Sequence, residues 1–395
     1  PPQPWREEAA TRAGVAAVGP GMARFVGGAV RDAILGRPVG DIDIATPLPP
    51  EEVLRRLAAA GIGAVPTGLA HGTVTAVMSP RPFEITTLRR DVENFGRHAR
   101  VAFTADWAED AARRDFTMNA LYLDPSGAVF DPVGGYEDLL AGRVRFVGEA
   151  EARIREDVLR LLRFYRFQAH YGREPADGEA RAAARALAPL LPGLSGERVA
   201  AELLKLLGAP DPLPALALMR EDGVLAVLLP EAGGAGRLAA LIALEPQPDP
   251  LRRLAALLSD AAGAQAVAAR LRLSAAAAKR LLALAAPSRP VDLAAAAPAQ
   301  RRALHHLGAD LYRDLVLLRA AETGTAAPAA LLALAAVWQP LRLPLKGRDV
   351  TALGVSPGPA VGRFLAELAA WWEDNDFRPD RAACLAELKR RLASS

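Results

Sequence analysis

The residues of this chain with the clearest chemical potential are two aspartates in "GDIDIAT", Asp41 and Asp43, separated by one isoleucine. If the run is a strand, both carboxylates point to the same face while Ile42 and Ile44 turn to the core. Two anions edging a partly buried sheet repel one another unless a cation lies between them. Mg²⁺ suits such a site, because it commonly takes one or two carboxylates and completes its shell with substrate phosphates. That pattern points to phosphoryl chemistry, although an isolated D-x-D is equally what a solvated strand end looks like. Upstream, "FVGGAVRD" places Gly27 and Gly28 between a strand and a helix starting near Ala29. Backbone N–H groups at such a junction hold anions. Arg31, in the first turn of that helix, is disfavoured by the helix dipole unless an anion such as a triphosphate is also present.

Up to about residue 145 the elements that must position these residues read as mixed α/β. Short β-rich runs ("ARFVGG", "DIDIAT", "GTVTAVM", "FEITTL", "NALYLD") alternate with helical ones such as "PEEVLRRLAAAG", and "DPSG" turns a hairpin. Beyond "GGYEDLLAGRVRFVG" the strand signals stop. Amphipathic helices follow, with loops expected near 209–214, 230–236, 245–250, 287–298 and 340–348. A chain of 395 residues is too long for one core and is expected to form two to four domains. No apolar run long enough for a membrane span is present, and the N-terminus lacks signal-peptide character. The single cysteine, Cys384, fits a reducing compartment, and a cytoplasmic location is expected. Net charge is only +3, but just four of the 48 basic residues are lysine. Guanidinium groups bind phosphates and base edges in a two-pronged way. A GC-rich genome raises Arg, Ala, Gly and Pro together and explains the same composition, so placement has to decide.

"GGAVRD", "DIDIAT", "RRDFTMNAL" (113–121), "DPVGGYEDLLAGRVRFVG" and "REDVLRLLRFYRF" stand in order over residues 25–207. Together they resemble the class II tRNA nucleotidyltransferases, the bacterial CCA-adding enzymes and their poly(A) polymerase relatives. The resemblance implies an α+β nucleotidyltransferase head of the polymerase-β kind over residues 1–145. All-α neck (146–209), body (210–298) and tail (299–395) domains would follow, with the tail binding tRNA. It implies an enzyme joining CTP and ATP to tRNA 3′ ends with Mg²⁺ and releasing pyrophosphate. Poly(A) synthesis and partial CC or A addition stay open as alternatives. No protein partner and no membrane are implied. By the same resemblance Asp41 and Asp43 are the catalytic metal carboxylates, with Glu84 a candidate third acid. Gly28, Arg31 and Arg114 contact the nucleotide. Asp115 and Asn119 are ribose or loop-fixing groups, unless Asp115 simply caps the turn after it.

Asp157 and Arg160, with Glu156, form the family's E-D-x-x-R element. On a continuous helix the two would be neighbours three apart and, alone, a surface ion pair of about 0.3–0.5 kcal/mol. Their functional reading comes from base edges. Cytosine and adenine place an amino donor beside a ring-nitrogen acceptor, matching a carboxylate beside a guanidinium; uracil and guanine present the reverse. Arg163 and Arg166 follow at spacing three and are implied to reach phosphate or base, whereas Leu159, Leu162, Phe164 and Phe167 are expected in the core. The polar stretch between Arg89 and Arg114 has no clean period and corresponds to the family's flexible specificity-switching region, its length favouring full CCA addition. In the tail, "GVSPGPAVG" starts a helix and is either an RNA phosphate contact or an interdomain turn. The arginines at 301, 302, 313, 319, 390 and 391 either line an RNA surface or are solvated. No His-Asp dipeptide occurs, so an appended phosphohydrolase domain is not expected.

Overall fold

The computed structural model describes residues 3–78, 82–95, 98–326 and 328–394, with the side chains of 91–101 left out of the description. It divides into two compact units, Pro1–Pro230 and Glu231–Ser395. The first contains the sheet. Its strands are β1 (Arg24–Val26), β2 (Asp43–Thr46), β3 (Gly63–Gly68), β4 (Thr73–Val77), β5 (Phe83–Thr87), β6 (Arg89–Phe95), β7 (His98–Phe103), β8 (Tyr122–Leu123) and β9 (Val129–Phe130). Seven of them form one mixed sheet in the order β3-β4-β5-β2-β1-β8-β9. Only β2 and β5 run parallel, with Asp43 opposite Glu84 and Ile44 opposite Ile85. The alternation expected of "DIDIAT" is visible in burial, with Ile42 and Ile44 sealed into the core and Asp43 half-buried. The strand itself is shorter than expected: it opens at Asp43, and Asp41 lies exposed in the bend before it.

Gly27 turns β1 into the Gly28–Ile34 helix with φ +70° and ψ −129°, a conformation closed to residues with a Cβ. Ala29, Val30 and Ala33 then bury the helix against the sheet. The "DPSG" hairpin joins β8 and β9 as expected. Two elements were not visible in the pattern. β3, an edge strand containing Pro66, is largely exposed and carries no apolar alternation. Among the described residues β6 and β7 pair with each other, through backbone groups that every residue type supplies, so the Arg89–Arg114 stretch shows no period although 89–95 and 98–103 form a ribbon. Residues 96 and 97 of that stretch lie outside the described residues. The Trp107–Ala112 helix completes it, capped by the Asp106 carboxylate accepting from the Ala108 N–H at 2.8 Å.

Past the sheet everything is helical, as expected. One correction bears on function. The "REDVLRLLRFYRF" segment is two helices, Ala150–Glu156 and Leu159–Tyr171, because Asp157 leaves helical geometry at φ −152°, ψ 105°. Its side chain accepts from the Leu159 N–H at 3.2 Å, a local bond that competes with helix continuation. Leu159, Leu162, Phe164 and Phe167 are buried, and the helix packs beside Gly196–Leu207. In the second unit most helix breaks carry Pro or Gly, but those at Leu258–Asp260 and Leu271–Ser274 carry neither and are closed by the Asp260 and Ser274 caps. Its C-terminal part packs Phe364, Leu368, Trp372, Cys384 and Leu388 into one core.

Gly135 opens the Gly135–Ala141 helix against the Thr117–Asn119 turn, where an added Cβ would stand 2.0 Å from the Thr117 carbonyl oxygen. The neighbour here is backbone, which cannot swing aside, so Gly135→Ala should lower the free energy of unfolding by about 2 kcal/mol. Urea denaturation checks this, and an unchanged midpoint would contradict the packing described.

Candidate active site

Asp43, Glu84, Arg89, Asp110, Arg113 and Arg114 line a single cleft at the end of β2 and β5. Burial pushes the Asp43 carboxyl above its ordinary range, and the charges of Glu84 and Asp41 push it further, against a smaller opposing pull from Arg114. This crowding of negative charge is what a hard divalent ion relieves, and the donors are the oxygen atoms such an ion prefers. Among the described residues no three acidic, His or Cys side chains are gathered closely enough to hold a metal. The fit is therefore to an ion held by two carboxylates and completed by a substrate's phosphate oxygens, with Glu84 beside it on the neighbouring strand.

Arg114 stands across the cleft, close enough that a Cβ on Gly27 would lie 3.8 Å from its Nη1. Its placement depends on a carboxylate absent from the sequence-based site, Asp110. Arg114 Nη2 donates to Asp110 Oδ2 at 3.0 Å, Arg113 donates to Oδ1 at 2.8–2.9 Å, and the Tyr122 hydroxyl donates to Oδ2 at 2.6 Å. Burial alone would raise the Asp110 carboxyl, but Arg114, Arg113 and the tyrosine hydrogen bond outweigh it and hold it at about 2. The spacing "D-A-A-R-R" places both cations at i+3 and i+4, so this anchor was legible in the sequence.

Gly28 forms the first turn beside Arg31, whose side chain is buried rather than open. It donates to both Asp32 oxygens at 3.0 Å and to Asn119 Oδ1 at 2.8 Å, and lies 4.1 Å over the Tyr171 ring. Asn119 in turn donates to Asp115 Oδ1 at 3.1 Å. Asp115 does not cap the following turn in the N2 or N3 manner. It accepts from the Phe116 N–H at 2.8 Å and from Arg163 Nε at 2.8 Å. Arg166 donates to Glu202 at 2.6 Å and stacks on Phe167.

Asp157 and Arg160 do not pair with each other, because the break at Asp157 rotates the carboxylate off the face that carries Arg160. Asp157 Oδ2 accepts from Arg198 of the Gly196–Leu207 helix at 2.6 Å. Arg160 pairs with Glu156 and donates to the Arg153 carbonyl at 3.0 Å. Arg153, Arg198 and Glu202, like Asp110, are residues that sequence reasoning missed; Arg198 and Glu202 meet their partners only through helix packing, which no local spacing announces. In the second unit, Arg301 pairs with Asp376 at 2.6 Å, Arg313 with Asp310, Arg319 with Glu322, and Arg390 and Arg391 with Glu387.

Residues 23–145 match the family described as the poly A polymerase head domain, and residues 177–233 match the one described as a probable RNA and SrmB-binding site of polymerase A. The mouse mitochondrial CCA tRNA nucleotidyltransferase 1 is 33% identical over 381 residues, covering 93% of this chain and 86% of that protein. This chain belongs to the CCA tRNA nucleotidyltransferase and poly(A) polymerase family. The zebrafish mitochondrial enzyme of the same name is 46% identical over 187 residues, but that match spans only 43% of its length. Among solved structures, the CCA-adding enzyme of Bacillus stearothermophilus in complex with CTP aligns with a TM-score of 0.81 at 31% identity. It covers 100% of this chain and 99% of that one. The fold class read from the sequence, an α+β nucleotidyltransferase head followed by helical regions, is thus the observed one.

Because Asp110 is held at about 2 against an ordinary 3.8, its contribution to stability is present above pH 4 and lost as the pH falls toward 2. The shift corresponds to about 2 kcal/mol. Asp110→Asn should flatten that acid limb in urea melts taken between pH 5 and 2; an identical pH dependence in both proteins would contradict the assignment.

Proposed function

We propose that this chain is a CCA-adding enzyme, joining CTP and ATP to tRNA 3′ ends with Mg²⁺ and releasing pyrophosphate. The supporting observation is the cleft in which Asp43, beside Glu84 and under the charge of Asp41, faces Arg114. Asp41 and Asp43 would hold the metal, which when bound supplies positive charge to the triphosphate and to the attacking primer oxygen. Arg114 offers its guanidinium to the incoming nucleotide from a site where Asp110 and Tyr122 restrict its rotamers. Gly28 brings backbone close to the phosphates, and Arg31 braces that turn through Asn119. Asp157 and Arg160 read the base, with Arg163 and Arg166 flanking them. Asp157 Oδ1 and Oδ2 each have a lone pair beyond their bonds to Leu159 and Arg198, so the carboxylate can still accept from an amino group. A keto oxygen in that place would leave polar groups unpaired, which rejects UTP and GTP.

In this reading residues 1–145 are the catalytic head, 146–209 the nucleotide-selecting neck, 210–298 the body and 299–395 the tRNA-binding tail. Among the described residues no helix is long and apolar enough to cross a membrane. A cytoplasmic location rests on the lone, buried Cys384; the vertebrate relatives carry mitochondrial names and do not favour it.

The deciding assay supplies tRNA ending at its discriminator base with CTP, ATP or both, and sequences the products. Addition of CCA is expected; long adenosine tracts on any RNA would make the chain a poly(A) polymerase, and addition stopping at CC or needing a CC end would make it a partial enzyme. Asp43→Ala should abolish addition while tRNA binding in a gel-shift assay survives, and near-full activity would remove the metal assignment. Asp157→Ala should raise UTP and GTP incorporation relative to CTP and ATP, whereas unchanged selectivity would count against the base-reading role.

A further inference from the structure

Arg153 belongs to neither the cleft nor the base-reading pair, yet it is buried to 9% exposure and each terminal nitrogen of its guanidinium touches one of the two sites. Nη1 donates to both oxygens of Glu156, at 2.8 and 2.7 Å. Nη2 donates to the backbone carbonyls of Ala112, at 3.0 Å, and of Arg114, at 2.7 Å. Glu156 uses the same carboxylate to hold Arg160, and the Arg160 guanidinium also donates to the carbonyl of Arg153. One planar fork thus spans from the backbone of the residue that faces the triphosphate to the carboxylate that holds the residue facing the base.

We propose that Arg153 is a positioning residue that sets the distance between nucleotide selection and chemistry. It fixes Arg160 relative to Arg114, so that only a base paired with Asp157 and Arg160 delivers its phosphates to the Asp43 cleft. The inference rests on the base-reading role of Arg160 described above. Its physical basis is that a guanidinium has donors in a rigid plane and serves a carboxylate and two carbonyls at once, whereas an ammonium is a point charge that serves one group or the other. Displacements on the scale of 1 Å at a reacting centre cost about 10²-fold in rate.

The test compares wild type with Arg153→Lys, Arg153→Met, Glu156→Gln and Arg160→Ala, measuring kcat and KM for CTP and for UTP on tRNA lacking CCA, with a thermal melt of each protein. Arg153→Lys is expected to melt near wild type, to lose about 10²-fold in kcat with CTP, and to lose at least about tenfold of the CTP-over-UTP preference. Glu156→Gln, which leaves Arg153 in place and weakens the carboxylate bridge between it and Arg160, should show the same loss of preference. It keeps the question answerable if both Arg153 variants fail to fold. A folded Arg153→Lys or Glu156→Gln with wild-type preference, alongside an Arg160→Ala that has lost it, would overturn the positioning role and leave the base-reading role intact. An Arg160→Ala enzyme with wild-type preference would overturn both.

Discussion

The site depends first on the half-buried ion pair between Asp115 and Arg163. Asp115 follows directly on Arg114 in the head, and Arg163 projects from the Leu159–Tyr171 helix, so the pair ties the head to the helix that also carries Arg160. Burial raises the Asp115 carboxyl, and Arg163, Asn119 and the Phe116 N–H more than reverse it, leaving the group ionised. A charge in that setting is strongly destabilising once its partner is removed. From Asp115 the bonds run through Asn119 to Arg31 and Asp32, and on the other side Arg163 and Arg166 share Glu202. The glycine junction and the Leu159–Tyr171 helix are therefore parts of one polar network rather than two features that happen to be adjacent.

This arrangement gives the arginine-rich composition a physical use. Arg31, Arg114, Arg160, Arg163 and Arg166 are each engaged by a carboxylate, respectively Asp32, Asp110, Glu156, Asp115 and Glu202. Such pairing restricts each fork to one orientation before a nucleotide arrives, which reduces the ordering that binding would otherwise require. It also reconciles many basic residues with a net charge of only +3. A lysine in these places would carry the charge without the geometry, since several of the arginines bond two or three acceptors at once.

Much of the fold was legible because it follows from periodicity. The apolar residues around Asp43 and along the Leu159–Tyr171 helix are buried as their spacing requires, and Pro or Gly marks most of the helix breaks of the second unit. What stayed hidden has specific causes. The β6–β7 ribbon pairs by backbone register, and β3 lies at an exposed edge. The break at Asp157 comes from a side chain bonding to local backbone, in a segment whose residue types otherwise favour a continuous helix. For the same reason Asp157 and Arg160, neighbours on paper, have separate partners in space. Asp110 was within reach of sequence reasoning through its i+3 and i+4 arginines, whereas Arg198 and Glu202 depend on a helix about 40 residues downstream packing against their partners.

Asp115 and Arg163 join the head and the Leu159–Tyr171 helix into one cooperative structure. A double-mutant cycle of Asp115→Asn and Arg163→Met, followed by urea denaturation at neutral pH, measures this directly. A coupling energy of about 2 kcal/mol, with the slope of the transition unchanged, is the predicted result. Additivity of the two single effects within about 0.3 kcal/mol would contradict it.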